Sequence, residues 1–213
     1  MKRLLSEYGL FLREFWTNYH TTGAILPSGR WLAAALSRYV GKGNGPQRIL
    51  EIGPGTGPIT RRIARAMRAV DRLDLVELNG SFVRRLQEDL TRDPVLRTIA
   101  DRTRVLHCPV QELPREPSYE VVISGLPLNN FSPGSVGQIL ETMTGLLRPG
   151  GTLSFFEYIF IRRIKSLVVG RAERDRLDGV GQVMDSLLAA HEFRRDWVWA
   201  NVPPAWAHHV RLS

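Results

Sequence analysis

The chain has 213 residues, which suits one α/β domain with a small appendage, and its net charge of +8 is carried far more by arginine than by lysine. A hydrophobic share of 43% is ordinary for a globular protein, and with no run of 18 apolar residues no transmembrane helix is predicted. The single cysteine, Cys108, excludes an internal disulfide and fits a reducing compartment, and five scattered histidines offer no metal-ligand spacing. The positive charge suits nucleic acid or an anionic membrane surface, and equally plain solubility; charge alone does not choose.

The first predicted element is a helix over residues 1–19. Leu4, Tyr8, Phe11, Leu12, Phe15 and Tyr19 share one face, Leu5 and Trp16 widen it, and Lys2, Arg3 and Arg13 stand beside it. Such a helix can lie in a bilayer interface, or pack over the core as a lid. Glu7, Arg13 and Glu14 break the apolar pattern, so no signal peptide is legible. A loop follows, and Ser28 is the expected N-cap of a helix from Trp31 to Tyr39. Residues 41–46 are a glycine-rich linker. Residues 1–40 are therefore read as an amphipathic helix plus a lid helix, and 41–213 as the main domain.

Strand and helix then alternate. Arg48 to Ile52 reads as a buried strand, followed by a turn with glycines at 53, 55 and 57 and a helix over Ile59 to Met67. Leu73 to Glu77 is the second strand and Ser81 to Leu90 a helix. Arg104 to His107 and Glu120 to Ser124 are the third and fourth strands. Ser135 to Leu147 is helical, Thr152 to Ile159 is the fifth strand, and Val180 to His191 is helical. Asp196 to Val202 and Ala207 to Leu212 close the chain as a strand pair. The pattern predicts an α/β fold: a mostly parallel sheet with helices on both faces and an antiparallel C-terminal pair. Ligands of such sheets sit at the carboxyl ends of the strands, where Gly53, Glu77, His107 and Gly125 fall.

The run Ile49-Leu50-Glu51-Ile52-Gly53-Pro54-Gly55-Thr56-Gly57 lets backbone approach a nucleoside ligand at a helix N-terminus. The dinucleotide fingerprint fails because Pro58 occupies its third glycine position. Glu77, twenty residues past Gly57, stands where an acid takes both ribose hydroxyls. These elements resemble the first motif and acidic loop of the class I S-adenosylmethionine (SAM) methyltransferases, whose fold is Rossmann-like. Leu147-Arg148-Pro149-Gly150-Gly151 resembles the turn into that fold's fifth strand. Residues 41–213 then form the SAM-binding catalytic domain.

Within that class, Gly23-Ala24-Ile25-Leu26-Pro27-Ser28 and Ser124-Gly125-Leu126-Pro127-Leu128 resemble the bacterial phospholipid and ornithine lipid N-methyltransferases. The resemblance implies SAM contacts at Ser28, Glu51, Gly53, Gly55, Gly57, Glu77, Leu78, Cys108, Pro109, Val110 and Ser124, and an amine site at Tyr19, Gly125, Leu126 and Tyr158. It implies a membrane-lipid substrate, phosphatidylethanolamine or ornithine lipid, met at an anionic surface by a cytoplasmic protein peripheral to the inner membrane. No nucleic acid and no metal are expected as partners. Base-specific amine methyltransferases place an Asn or Asp where this chain has Gly125 and an aromatic residue where it has Leu128. After the third strand Cys108-Pro109-Val110 replaces the family's Gly-Asp-Ala, leaving adenine to backbone, apolar contact or Gln111. Trp16, Tyr19, Phe131 and Tyr158 could wall a methylated ammonium, although each could equally be core packing. His208 and His209 are expected on a terminal strand without chemistry. The rival readings are an RNA adenine N-methyltransferase and a non-catalytic SAM- or lipid-binding protein.

Overall fold

The computed structural model describes residues 29–159 and 170–212. The elements run α1 (Arg30–Leu36), β1 (Arg48–Ile52), α2 (Pro58–Ala66), β2 (Arg72–Val76), α3 (Gly80–Arg92), β3 (Thr103–Leu106), β4 (Tyr119–Ser124), α4 (Pro133–Gly145), β5 (Leu147–Tyr158), α5 (Arg171–His191), β6 (Glu192–Val198) and β7 (Ala205–Arg211). Seven strands form one sheet in the order β3-β2-β1-β4-β5-β7-β6. The first five are parallel; β7 runs antiparallel to β5, and β6 antiparallel to β7. The predicted fold class is therefore the observed one.

Two apolar layers cover the sheet. Leu50, Ile52, Val122 and Phe155 face α4 and α5 through Ile139, Met143, Val180 and Met184. Ile49, Leu73, Val121, Ile123 and Phe156 face α1, α2 and α3 through Leu32, Leu36, Ile63 and Leu86. Buried strands with apolar residues at successive positions, such as Val121-Val122-Ile123, are what a sheet covered on both faces requires. At the amino edge Asp74, 2% exposed, accepts from Arg48, Arg104 and the Tyr119 hydroxyl. One carboxylate thus ties four strands in register, and these partners hold it below the usual range despite its burial.

Several predicted boundaries change: β5 begins at Leu147 rather than Thr152, and the helix before it ends at Gly145. The second helix begins at Arg30 with Gly29 as N-cap, and the Gly29 amide donates to Asn201 Oδ1 at 2.9 Å; Ser28, the expected cap, lies outside the described residues. The helix expected from Val180 starts nine residues earlier, at Arg171. Asp175, Asp178 and Gly179 in that stretch obscure its apolar period, yet Leu177 is 1% exposed. The C-terminal pair begins earlier than expected, at Glu192 and Ala205. The helix expected over residues 1–19 lies outside the described residues.

His208 and His209 belong to the last strand in sequence, but that strand is interior in the sheet. Both are buried. Ser154 Oγ lies 2.8 Å from His209 Nδ1, His209 Nε2 lies 3.3 Å from Asp196 Oδ2, and that oxygen also accepts from Arg38 Nε. This Ser-His-Asp order is structural: Ser154 is fully buried, so no substrate reaches it. The chain of contacts fastens β5, β7, β6 and the turn after α1 together.

Candidate active site

The site forms where β1 and β4 end side by side. Gly53 N donates to Val76 O at 2.9 Å, and Gly125 N donates to Ile52 O at 2.8 Å. Both loops therefore leave the sheet through a last ladder bond. Gly53, Gly55 and Gly57 have φ of 69°, 56° and 80°, a region that L side chains rarely adopt. The turn delivers the backbone to the N-terminus of α2, where Pro58 occupies the first turn without loss of a needed amide.

The two loops interlock. A Cβ at Gly125 would meet Gly53 O at 2.7 Å, and one at Gly53 would meet Leu126 Cδ2 at 2.6 Å. Leu126 and Leu128 are 3% and 1% exposed. Leu126 N donates to Ser124 Oγ at 3.3 Å, which shapes the bend. Position 125 thus has no space for the Asn or Asp of base-specific enzymes, and position 128 is core rather than a stacking surface.

Glu77 closes β2. Its Oε2 accepts from Gly55 N at 3.0 Å and its Oε1 from Asn79 N at 2.8 Å, so it braces the glycine turn from below. Burial raises its pKa, and those amides oppose the rise. Leu78 packs beside it, and its carbonyl lies 3.1 Å from His107 Nε2. Cys108 is half-buried, and burial, with Glu112 beside it, pushes its thiol up. Pro109 leads into one 3-10 turn, Val110–Glu112, with Val110 in the core.

Glu51 is fully buried, and neither carboxylate oxygen has a hydrogen-bond partner. Burial pushes its pKa up to about 8, tempered by Thr60 and reinforced by Glu77. Gln111 Oε1 and Asn129 Oδ1 are likewise buried and unpartnered. Buried acceptors without donors are rare in folded proteins and call for a ligand. An ammonium satisfies Glu51, and an adenine amino group satisfies Gln111. The amino-acid and base ends of SAM carry these two groups, so the residues present fit the cofactor.

Arg176 was missed by the sequence reading because it lies in the unrecognised first half of α5. Its guanidinium donates to Phe131 O and Asn129 O, and Glu173 holds it from behind. It clamps the loop after β4. Asn129 was also missed; an Asn immediately after the prolyl turn was the available signal. The expected aromatic wall is corrected. Phe131 packs in the α4/α5 layer and Tyr158 in the α1/α2 layer, edge-to-face on Phe156 at 5.0 Å, so the sheet separates them. Trp16 and Tyr19 lie outside the described residues.

This sheet order, with a glycine cradle at β1 and an acid at β2, defines a SAM-dependent methyltransferase. Residues 49–151 match the methyltransferase domain family. An ornithine lipid N-methyltransferase of Singulisphaera acidiphila is 28% identical over 154 residues, 70% of this chain and 77% of that protein. A ubiquinone/menaquinone biosynthesis C-methyltransferase of Stutzerimonas stutzeri is 28% identical over 113 residues, 52% of this chain and 41% of that protein. Among solved structures, the 1,6-didemethyltoxoflavin-N1-methyltransferase of Burkholderia thailandensis, bound to S-adenosylhomocysteine, superposes with a TM-score of 0.68 at 19% identity, covering 98% of this chain and 90% of that one. The fold is that of the class I SAM-dependent methyltransferases, and residues 49–151 carry the methyltransferase domain.

Proposed function

We propose that the protein N-methylates the amine head group of a membrane lipid, ornithine lipid or phosphatidylethanolamine, as a peripheral protein at the cytoplasmic membrane surface. The observation that carries this reading is the interlock of Gly125 with Gly53. It removes the side chain that holds a planar base, and the burial of Leu128 removes the ring that stacks on one. What remains is a narrow loop of backbone carbonyls, which suits a small alkyl amine. The similarity to the ornithine lipid enzyme supports the same choice.

SAM supplies an activated methyl group, so the protein's task is alignment and desolvation. An alkyl ammonium has a pKa of about 10 in water and must lose a proton before it attacks. A site with Leu126 and Leu128 buried around it lowers that pKa. Carbonyls of residues 125–127 and the unpartnered Asn129 Oδ1 are acceptors for the amine N–H groups. Arg176 holds their loop in place. Tyr19 and Tyr158 complete the proposed amine site, with residues 1–40 on the substrate side and 41–213 as the catalytic domain. Ser28, Leu78, Cys108, Pro109, Val110 and Ser124 join the proposed cofactor contacts.

The test uses labelled SAM with total lipid and total RNA in parallel. Label is expected in the lipid extract, and thin-layer separation identifies the acceptor and the number of methyl groups. Label confined to RNA overturns the reading.

A further inference from the structure

Four large apolar residues stand out of the described surface on one side of the molecule: Trp31, Trp197, Trp199 and Val202, at 52%, 55%, 57% and 67% exposure. The three tryptophans line a single groove of about 500 Å³ beside the edge strand β6, with Arg38, Lys42 and Arg62 along its walls. The Trp197 ring packs on Trp199 at 4.9 Å and on Trp206 at 3.8 Å. Arg30 lies over Trp31 at 4.9 Å and Arg195 over Trp206 at 5.2 Å. Solvent exposure of so much indole in one place marks an interaction surface.

We propose that this tryptophan-lined edge is a docking surface for an anionic phospholipid bilayer. Charge selects the occupant. The groove's one carboxylate, Asp196, is already neutralised by Arg38 and Arg194. Lys42 and Arg62 form no ion pair among the described residues, so the groove is net cationic. Protein–protein interfaces share the enrichment in Trp and Arg but are depleted of Lys, and Lys42 stands in this groove. Indole rings interleaved with cations instead match the headgroup zone, where Trp is enriched and basic residues meet lipid phosphate.

Position supports the same occupant. Ile159 N donates to Pro204 O at 2.9 Å, and Gly29 N to Asn201 at the start of α1. The β6–β7 turn and Trp31 therefore stand at the carboxyl end of β5, the same edge of the sheet on which Gly53 and Gly125 lie. A bilayer seated on the tryptophans lies beside the opening of the methyl-transfer site. The surface does not depend on which amine is the acceptor.

Cosedimentation of the full chain with phosphatidylcholine vesicles, with and without phosphatidylglycerol, tests the proposal. Trp31→Ala with Trp199→Ala is expected to weaken binding roughly tenfold. Lys42→Glu with Arg62→Glu should weaken it roughly a hundredfold at low salt, and the parent's preference for phosphatidylglycerol should vanish. S-adenosylhomocysteine affinity and methyl transfer to amine lipid in detergent micelles should stay at the parent level, which shows that the variants fold and keeps this proposal separate from the substrate reading. Brominated acyl chains should quench the tryptophan emission of the parent more strongly than that of the tryptophan variant, which keeps only Trp197 exposed in the groove. The proposal is overturned if both patch variants cosediment like the parent while Leu12→Asp with Phe15→Asp abolishes binding. It is equally overturned if sedimentation velocity shows a lipid-free dimer that the tryptophan variant dissolves.

Discussion

As the proposed partner of the cofactor's ammonium, Glu51 is expected to couple cofactor affinity to pH. Its carboxyl is buried without a hydrogen-bond partner and held at about 8. At pH 7 about nine in ten ligand-free molecules then carry the proton. An ammonium pairs with the ionised form, so binding S-adenosylhomocysteine should release about 0.9 proton at pH 7 and about 0.1 at pH 9. Ionising the group before pairing costs about 1.4 kcal/mol at pH 7, which is about tenfold in affinity. Titration calorimetry in buffers of different ionisation enthalpy reads the proton directly. Observed enthalpies should diverge between buffers at pH 6–7 and converge at pH 9, while affinity rises about tenfold from pH 6 to 7 and levels near 8. Glu51→Gln should abolish the buffer dependence and weaken binding at pH 8 on the order of tenfold to a hundredfold, the strength of a hydrogen bond to a charged group. Methylthioadenosine, which lacks the amino-acid tail, should bind without the linkage. Identical enthalpies in all buffers at pH 6.5 would refute the reasoning. The raised pKa also means that the ligand-free protein is favoured below pH 4.5 and loses that contribution as pH rises through 8.

Three further outcomes are expected. Burial holds His209 down near 4, with Arg38 and Arg194 adding to the shift and Asp196 opposing it. Its contribution is present above the unfolded value of 6.5 and is lost as pH falls through 4, by about 3 kcal/mol. Urea unfolding from pH 7 to 4 should show a steeper decline for the parent than for His209→Gln, and parallel curves would contradict the account. Gly125→Ala should lower stability by about 1–3 kcal/mol and weaken S-adenosylhomocysteine binding with it, because the new methyl group meets Gly53 O; thermal unfolding with and without ligand separates the two effects, and an unperturbed variant would show that the loops are not interlocked. Arg176→Ala should lower kcat on the order of tenfold to a hundredfold with cofactor affinity unchanged, and Arg176→Lys should restore little, since one ammonium cannot reproduce the planar fork. Full activity in Arg176→Ala would remove the clamp from the mechanism.

The parallel half of the fold was legible because its signals are local. Arg48–Ile52 is bounded as the apolar run predicts, and the glycine turn and Asn79, which caps α3 by accepting from Ser81 N, sit within a few residues of the elements they shape. The positions of the proposed cofactor residues were legible for the same reason: Glu51 and Gly53 stand at the end of β1 and Glu77 just past β2. What escaped depends on distance in the chain. Arg176 reaches a loop 45 residues away, and Tyr158 is assigned to a layer only by its neighbours across the sheet. The pairing of Ser154 with His209 spans 55 residues and leaves no periodic trace. The first half of α5 escaped because charged residues and glycines masked a face that only α4 and the loop after β4 make apolar.

The contact between Gly53 and Gly125 limits how this enzyme can change its preference. In the proposed function one loop serves the methyl donor and the other the acceptor, and a Cβ at Gly125 would meet the Gly53 carbonyl. Any side chain introduced at either position displaces both. Specificity therefore cannot drift residue by residue at the centre of the site without loss of donor affinity. New acceptors must be recruited by remodelling the periphery, around Asn129, where substitutions leave the paired glycines undisturbed. For protein engineering, libraries aimed at a new amine belong in that outer ring, with the inner pair held constant.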